Sequence, residues 1–391
     1  MGDYFQRALV LLLIILSSMT PPSYAETREL KVYNYSLYID KEVLKIFEQE
    51  TGIKVIYDEF EAAEEAWAKL SAGGGGYDLI FLAHTYLQLA IERGLVRELD
   101  KGKIANIKNL DPRVSRYPVD PENRYSVPYM WGTTGIAYRE DCVKDPPKSW
   151  REFLSEDYLR KYSGKVTLLS EFTDVVMATM IAMGYDMSDR RTWNDAVMRE
   201  VTERLRGTKA YLRGFWGASE YVPALIRGEI CLAQAWNGDV IVARESDQKI
   251  KYVLPADGTY YWMDFMVIPK GARNVEEAHA FINFLLRPDI AARNVKAVFY
   301  ASAIQRELLL KYAEDTGDEE LKALLRDAAV YPGEDVKLIP SPVLDEEMMR
   351  LVSRVNIEVQ AERGPLTLIS MVIAVVLLGV LGYVLYRRIR K

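Results

Sequence analysis

The chain has 391 residues, of which 49% are apolar and 27% charged, a balance that excludes long disorder and allows either two or three domains or one large two-lobed body. Its 50 basic and 56 acidic residues give a net charge of -6, which argues against a nucleic-acid binder. Two histidines, His84 and His279, are too few for a histidine-rich metal centre, and Cys142 and Cys231 fit no zinc-ligand spacing.

In chain order, residues 1–25 read as a secretory signal. Arg7 precedes an apolar run from Ala8 to Leu16 that is too short to span a bilayer, and Ser23-Tyr24-Ala25 supplies a small-x-small cleavage pattern. Leu30–Asn34 is then expected as a strand. Lys41–Gln49 carries Val43, Leu44 and Phe47 at helical spacing and is stopped by Thr51-Gly52. A second strand is expected at Ile53–Tyr57, a helix at Glu64–Ala72 and a third strand at Tyr77–Leu82. Strand–helix–strand alternation requires parallel crossovers, hence an α/β sheet with helices on both faces. Such sheets bind ligands at the carboxyl ends of their strands, which puts Asn34–Tyr38 and Ala83–Tyr86 on one rim.

The alternation resumes with strands at Lys165–Leu169, Glu229–Ala235 and Lys251–Leu254, and with helices starting near Thr173 and Tyr221. Pro128–Gly135 and Tyr260–Pro269 read as extended connections, so the chain leaves one lobe, builds another and returns. The expected division gives residues 26–132 and 264–364 to one lobe and 133–263 to the other. Helices follow at Val275–Leu286 and Asp345–Glu362. Pro365–Tyr386 has no charged residue and is long enough, at about 33 Å as a helix, to cross a hydrocarbon core. Arg387, Arg388, Arg390 and Lys391 follow at once, so by the positive-inside rule this tail is cytoplasmic and the body is outside. The tail carries +4, which leaves -10 on residues 26–364 and a weak long-range preference for cations. An oxidising location permits a Cys142–Cys231 disulfide, although two cysteines alone do not establish one.

Gly73–Gly76 lacks the lysine and hydroxyl residue of a phosphate loop and reads as a helix-to-strand turn. Glu171 and Asp174, three apart after a strand, share a helix face if a helix begins there; first-turn capping accounts for them equally well. Trp262-Met263-Asp264 lies among Tyr260, Tyr261 and Phe265, and Trp236-Asn237-Gly238-Asp239 ends another strand. Carboxylates and aromatic faces together at strand ends suit organic ammonium groups, through charge-assisted hydrogen bonds and cation–π attraction.

Several stretches in this order resemble a known family: Val32–Ser36, Glu50–Tyr57, Ala68-Lys69-Leu70, Tyr77-Asp78-Leu79, Asn109–Pro112, Val127–Thr134, Trp236-Asn237-Gly238, Trp262-Met263-Asp264 and Ile282–Asp289. The body is similar, over roughly Leu30 to Pro332, to the spermidine/putrescine-binding receptors of ABC importers within the type II periplasmic-binding-protein superfamily. The resemblance implies two lobes with a ligand cleft between them, to which the sequence adds a single C-terminal transmembrane helix. It also implies no enzymatic activity, no cofactor and no metal, and it names as partners a polyamine and an ABC permease with a cytoplasmic ATPase. By position the family's amine-binding acids fall on Glu171, Asp174 and Asp264, with the family's usual aspartate and glutamate exchanged at the first two. Its pocket aromatics fall on Tyr35 (in place of a tryptophan), Tyr38, Trp236, Trp262 and Tyr300, and Ser36 takes a threonine position. Ala83 replaces a serine, and the family's tyrosine aligns with Thr85, beside Tyr86. A protonated His84 in that segment would disfavour a dication. Competing readings are another solute in the same fold, a carboxylate-pair hydrolase, and a tethered sensor.

Overall fold

The computed structural model describes residues 28–60, 63–333 and 336–361. The expected signal and the expected span at 365–386 lie outside the described residues. Among the described residues no helix is long and apolar enough to cross a membrane.

Strands are numbered in chain order, as are helices of eight residues or more. The first lobe opens with β1 (Glu29–Tyr35), α1 (Lys41–Thr51), β2 (Lys54–Phe60), α2 (Ala63–Ser71), β3 (Leu79–Ala83) and α3 (His84–Glu92). Helix α1 starts because the Asp40 side chain accepts from the Glu42 N–H, and it stops at Gly52 in the left-handed region. Strands β1, β2 and β3 are mutually parallel, as the alternation requires. The four glycines at 73–76 form the turn from α2 to β3, each with positive φ.

Two long strands then join the lobes. β4 (Ser126–Arg139) and β9 (Thr259–Val267) pair antiparallel with each other, and with β5 (Val166–Leu169), β6 (Leu212–Trp216) and β7 (Leu232–Trp236) the sheet order is β2-β1-β3-β9-β4-β7-β5-β6. Both had been expected only as extended connections. They are strands because their partners are non-local: β4 also pairs with β7, with β8 (Ile250–Val253) and with β10 (Ala301–Ser302). The second lobe adds β5 (Val166–Leu169), α4 (Phe172–Met183), α5 (Asp195–Lys209), β6 (Leu212–Trp216), α6 (Ala218–Ile226), β7 (Leu232–Trp236) and α7 (Asn237–Ser246). Of these, α5, β6 and α7 were not anticipated. Helices α8 (Val275–Leu285), α9 (Pro288–Val298), α10 (Arg306–Thr316) and α11 (Glu319–Arg326) return to the first lobe.

There are two hydrophobic cores. One takes its residues from Leu30 to Trp131 and from Tyr261 to Tyr331, with Ile241; the other takes Ile136 to Tyr260 and then Leu344 to Val359. The last segment corrects the expected assignment of residues 264–364 to the first lobe. Helix α12 (Glu346–Gln360) turns Met348, Leu351, Val352, Val355 and Val359 inward at helical spacing and packs them on α4 and α5. Each such side chain contributes about 1.5–3 kcal/mol when fully buried, so the helix belongs to the second lobe. Its carboxyl end is capped there by Lys209, whose Nζ donates to the carbonyls of Val359 at 2.9 Å and Gln360 at 3.1 Å. Cys142 and Cys231 are disulfide-bonded, with Cα atoms 5.8 Å apart, and link the exit of β4 to the entry of β7. The sequence had left this bond open.

Candidate functional site

The cleft is built where strands end. In the second lobe, α4 follows β5 and α7 follows β7, and each helix carries an aspartate on its third residue: Asp174 and Asp239. A helix amino end favours an ionised carboxylate, which partly offsets the cost of burying one. Asp174 is only 6% exposed. Its carboxylate accepts from Thr134 Oγ1 at 2.9 Å and from Trp236 Nε1 at 3.1 Å. The β4–β7 register, which sets Thr134 opposite Trp236, delivers both donors to it. Burial nevertheless raises its pKa to about 6, against the pull of these hydrogen bonds. Glu171 is the N-cap of α4 and accepts from the Thr173 N–H at 3.3 Å. The capping reading is therefore correct. Glu171 is raised to about 7 by burial first, then by the charges of Asp174 and Glu64.

Asp264 lies on β9, opposite Ala83 of β3. A bulge in β4 places Tyr129 and Met130 against it between the pairs Pro128–Phe265 and Trp131–Met263. Bulges recur beside functional sites because they re-aim side chains. Tyr38 Oη donates to Asp264 Oδ2 at 2.8 Å. Burial lifts this carboxyl to about 7, against the Tyr38 hydrogen bond that lowers it.

Aromatic rings wall the cleft. Tyr38 lies edge-on to Tyr35 at 5.5 Å and to Tyr300 at 5.8 Å, and Tyr300 meets Trp262 at 5.1 Å. Tyr300 Oη donates to Asp239 Oδ1 at 3.2 Å, and Tyr221 donates to Oδ2. Burial again raises Asp239, to about 6, while these two hydroxyls lower it. The walls pack closely enough to require glycine twice. A Cβ on Gly238 would stand 2.4 Å from the Tyr300 ring, and one on Gly132 would stand 2.4 Å from the indole of Trp262.

Most of the expected residues therefore converge. Tyr35, Tyr38, Trp262, Asp264 and Tyr300 form one contact chain, and Trp236 donates to Asp174, whose charge acts on Glu171. Tyr86 is electrostatically coupled to Glu171 and donates to Glu64 Oε1 at 3.2 Å. Ser36 and Thr85 are half-buried at the rim, with Ser36 N donating to the Phe60 carbonyl at 2.9 Å. His84 does not oppose a cation. Its ring is buried against Tyr117, and burial drives its pKa down to about 3, so it is neutral. Asp239, Tyr221 and Glu64 are absent from the sequence-derived set. Asp239 had a visible signal, since it repeats the placement of Asp174 in the first turn of a helix that follows a strand. Glu64 had none.

Among the described residues none of Glu171, Asp174, Asp239 and Asp264 forms an ion pair with a lysine, arginine or histidine. Buried carboxylates normally recruit a cation or lose their charge. Glu171, Asp174, Asp239 and Asp264 share this region without such a partner.

Comparisons with known proteins identify the family of the chain. The chain is 33% identical to the putrescine-binding periplasmic protein of Escherichia coli strain K12 over 347 residues, covering 84% of this chain and 90% of that protein. It is 34% identical to the spermidine/putrescine-binding periplasmic protein of the same organism over 280 residues, covering 70% and 77%. Among solved structures, the spermidine/putrescine ABC transporter substrate-binding protein of Streptococcus pneumoniae superimposes with a TM-score of 0.72 at 27% identity, covering 85% of this chain and 98% of that one. The sequence pattern of the bacterial extracellular solute-binding proteins matches residues 42–316. The chain belongs to the bacterial extracellular solute-binding proteins, two-lobed α/β receptors of ABC transporters that bind their solute and are not enzymes.

Proposed function

We propose that the chain is a membrane-tethered extracellular receptor for a linear polyamine of the putrescine/spermidine class. It closes its lobes around the ligand and passes it to an ABC permease with a cytoplasmic ATPase. The observation that carries this reading is the set of four acids, Glu171, Asp174, Asp239 and Asp264, facing an aromatic-walled cleft and paired with no cation among the described residues. Ammonium groups would neutralise the carboxylates while Tyr35, Tyr38, Trp236, Trp262 and Tyr300 pack on the methylene chain. Ser36, Thr85 and Tyr86 would line the rim. An amino acid would need a basic partner for its carboxylate, and among the described residues no basic side chain pairs with these acids. An uncharged sugar would leave the carboxylates unpaired.

Closure would be a hinge motion through β4 and β9, the strands shared by both lobes. The Cys142–Cys231 disulfide supports an oxidising, extracytoplasmic location for the body. The uncharged segment at 365–386 and the basic cluster after it would supply the tether. Mass spectrometry of small molecules released on denaturing the protein purified from its native membranes tests the ligand class. A stoichiometric aliphatic amine is expected; a co-purifying amino acid or sugar would contradict the reading. The tether is tested by alkaline carbonate extraction, which should leave the chain with the membranes. Release into the supernatant would refute it.

A further inference from the structure

Glu64 lies in the first turn of α2, on the first lobe. Tyr86, whose hydroxyl donates to it, is stacked on Trp67 with ring centroids 5.3 Å apart and planes at 11°, so the acid is held beside an aromatic platform. Glu171 stands on the second lobe, within electrostatic range of Glu64, and both acids act on Tyr35 and Tyr86. The basic side chains of this region are engaged elsewhere. Lys69 lies over the Tyr33 ring at 5.8 Å, and Arg93 lies over Trp67 at 5.5 Å and pairs with Glu346. Among the described residues no cation pairs with Glu64 or Glu171.

The acids are also ordered by depth. Asp174 and Asp264 are 6% and 7% exposed, Asp239 and Glu171 are half-buried, and Glu64 is exposed at the mouth. A ligand that reaches Glu64 must extend from the floor of the cleft to its opening. Closing the lobes without one brings two like charges together at the mouth, which disfavours closure.

We propose that Glu64 is a specificity-determining residue: with Glu171 it takes an ammonium group at the cleft mouth that a triamine presents and a short diamine does not. This rests on the polyamine reading of the cleft and assigns the ligand's length within that class.

The test is calorimetric titration of the full-length chain with putrescine and with spermidine, in wild type, Glu64→Gln and Glu65→Gln. Glu65 is the charge control, because its replacement removes one acid from the same helix and Glu65 acts on Tyr33. Wild type is expected to prefer spermidine. Glu64→Gln should weaken spermidine roughly five- to tenfold, as for a partly exposed charge-assisted contact, and leave putrescine within about twofold. Glu65→Gln should change neither. Equal weakening of both amines by Glu64→Gln, no weakening of spermidine, or the same effect from Glu65→Gln would overturn the assignment while leaving the polyamine reading in place. Absence of binding of either amine to wild type would overturn that reading, and this assignment with it.

Discussion

Replacing Asp264 by asparagine separates binding from stability by sign. The side chain keeps its shape, and its amide oxygen still accepts from Tyr38 Oη, now 2.8 Å from the carboxylate. Only the charge is removed. An amine that donates to this carboxylate loses one charge-assisted hydrogen bond in a site 7% exposed, worth about 1.5–3 kcal/mol. That corresponds to an affinity loss of roughly ten- to 150-fold. The ligand-free protein should move the other way. Its Asp264 pKa is lifted from 3.8 to about 7, so above pH 7 the folded state holds a charge that the unfolded chain carries freely. Removing that charge should stabilise the ligand-free protein at pH 8, by up to about 4 kcal/mol. Calorimetric titration and thermal unfolding of the same full-length sample read both quantities. Unchanged affinity, or affinity and stability falling together, would refute the reasoning.

The same acids predict a pH dependence. Asp174 and Asp239 at about 6, and Glu171 and Asp264 at about 7, bind protons in the folded ligand-free state that the unfolded chain has already released. The ligand-free melting temperature should therefore fall as pH rises from 5 to 8. Amine affinity should rise by about tenfold or more over the same range, with protons released on binding, because aliphatic ammonium groups stay charged throughout; a flat affinity profile would contradict this. Gly238→Ala, which forces a methyl against the Tyr300 ring, should weaken amine binding by about tenfold, and unchanged binding would show that Tyr300 is free to move. Reducing the Cys142–Cys231 bond, which closes a loop with a sequence separation of 89, should lower stability by about 2–5 kcal/mol in chemical denaturation, and an unchanged midpoint would show it contributes nothing.

Local pattern carried the first lobe well. The apolar spacing of Val43 and Phe47, the two buried side chains of α1, and the β-branched run after Gly52 describe α1 and β2. β4 escaped because Pro128, Gly132 and Gly135 weaken every local strand signal, while the pairing that makes it a strand comes from residues more than 90 positions away. The α5 pattern of Val197, Met198, Val201 and Leu205 is present in the sequence yet absent from the expectations drawn above. Helix α12 was legible as a helix but not as part of the second lobe, since amphipathicity says that a face is buried and not against what.

In the candidate site, Glu171, Asp174 and Asp264 were picked out by resemblance. The physical chemistry of a third-residue aspartate after a strand adds Asp239. Glu64 was invisible because an exposed glutamate in a first helical turn is ordinary until the opposite lobe places Glu171 near it.

Calorimetric titration of the full-length chain with putrescine, spermidine, spermine and agmatine, alongside a panel of amino acids and sugars, tests the central claim most directly. Saturable one-to-one binding of an amine, with proton release near pH 6.5 and no heat from the other solutes, is the predicted result. A folded sample that binds an amino acid or a sugar, or that takes up no amine, would contradict the account.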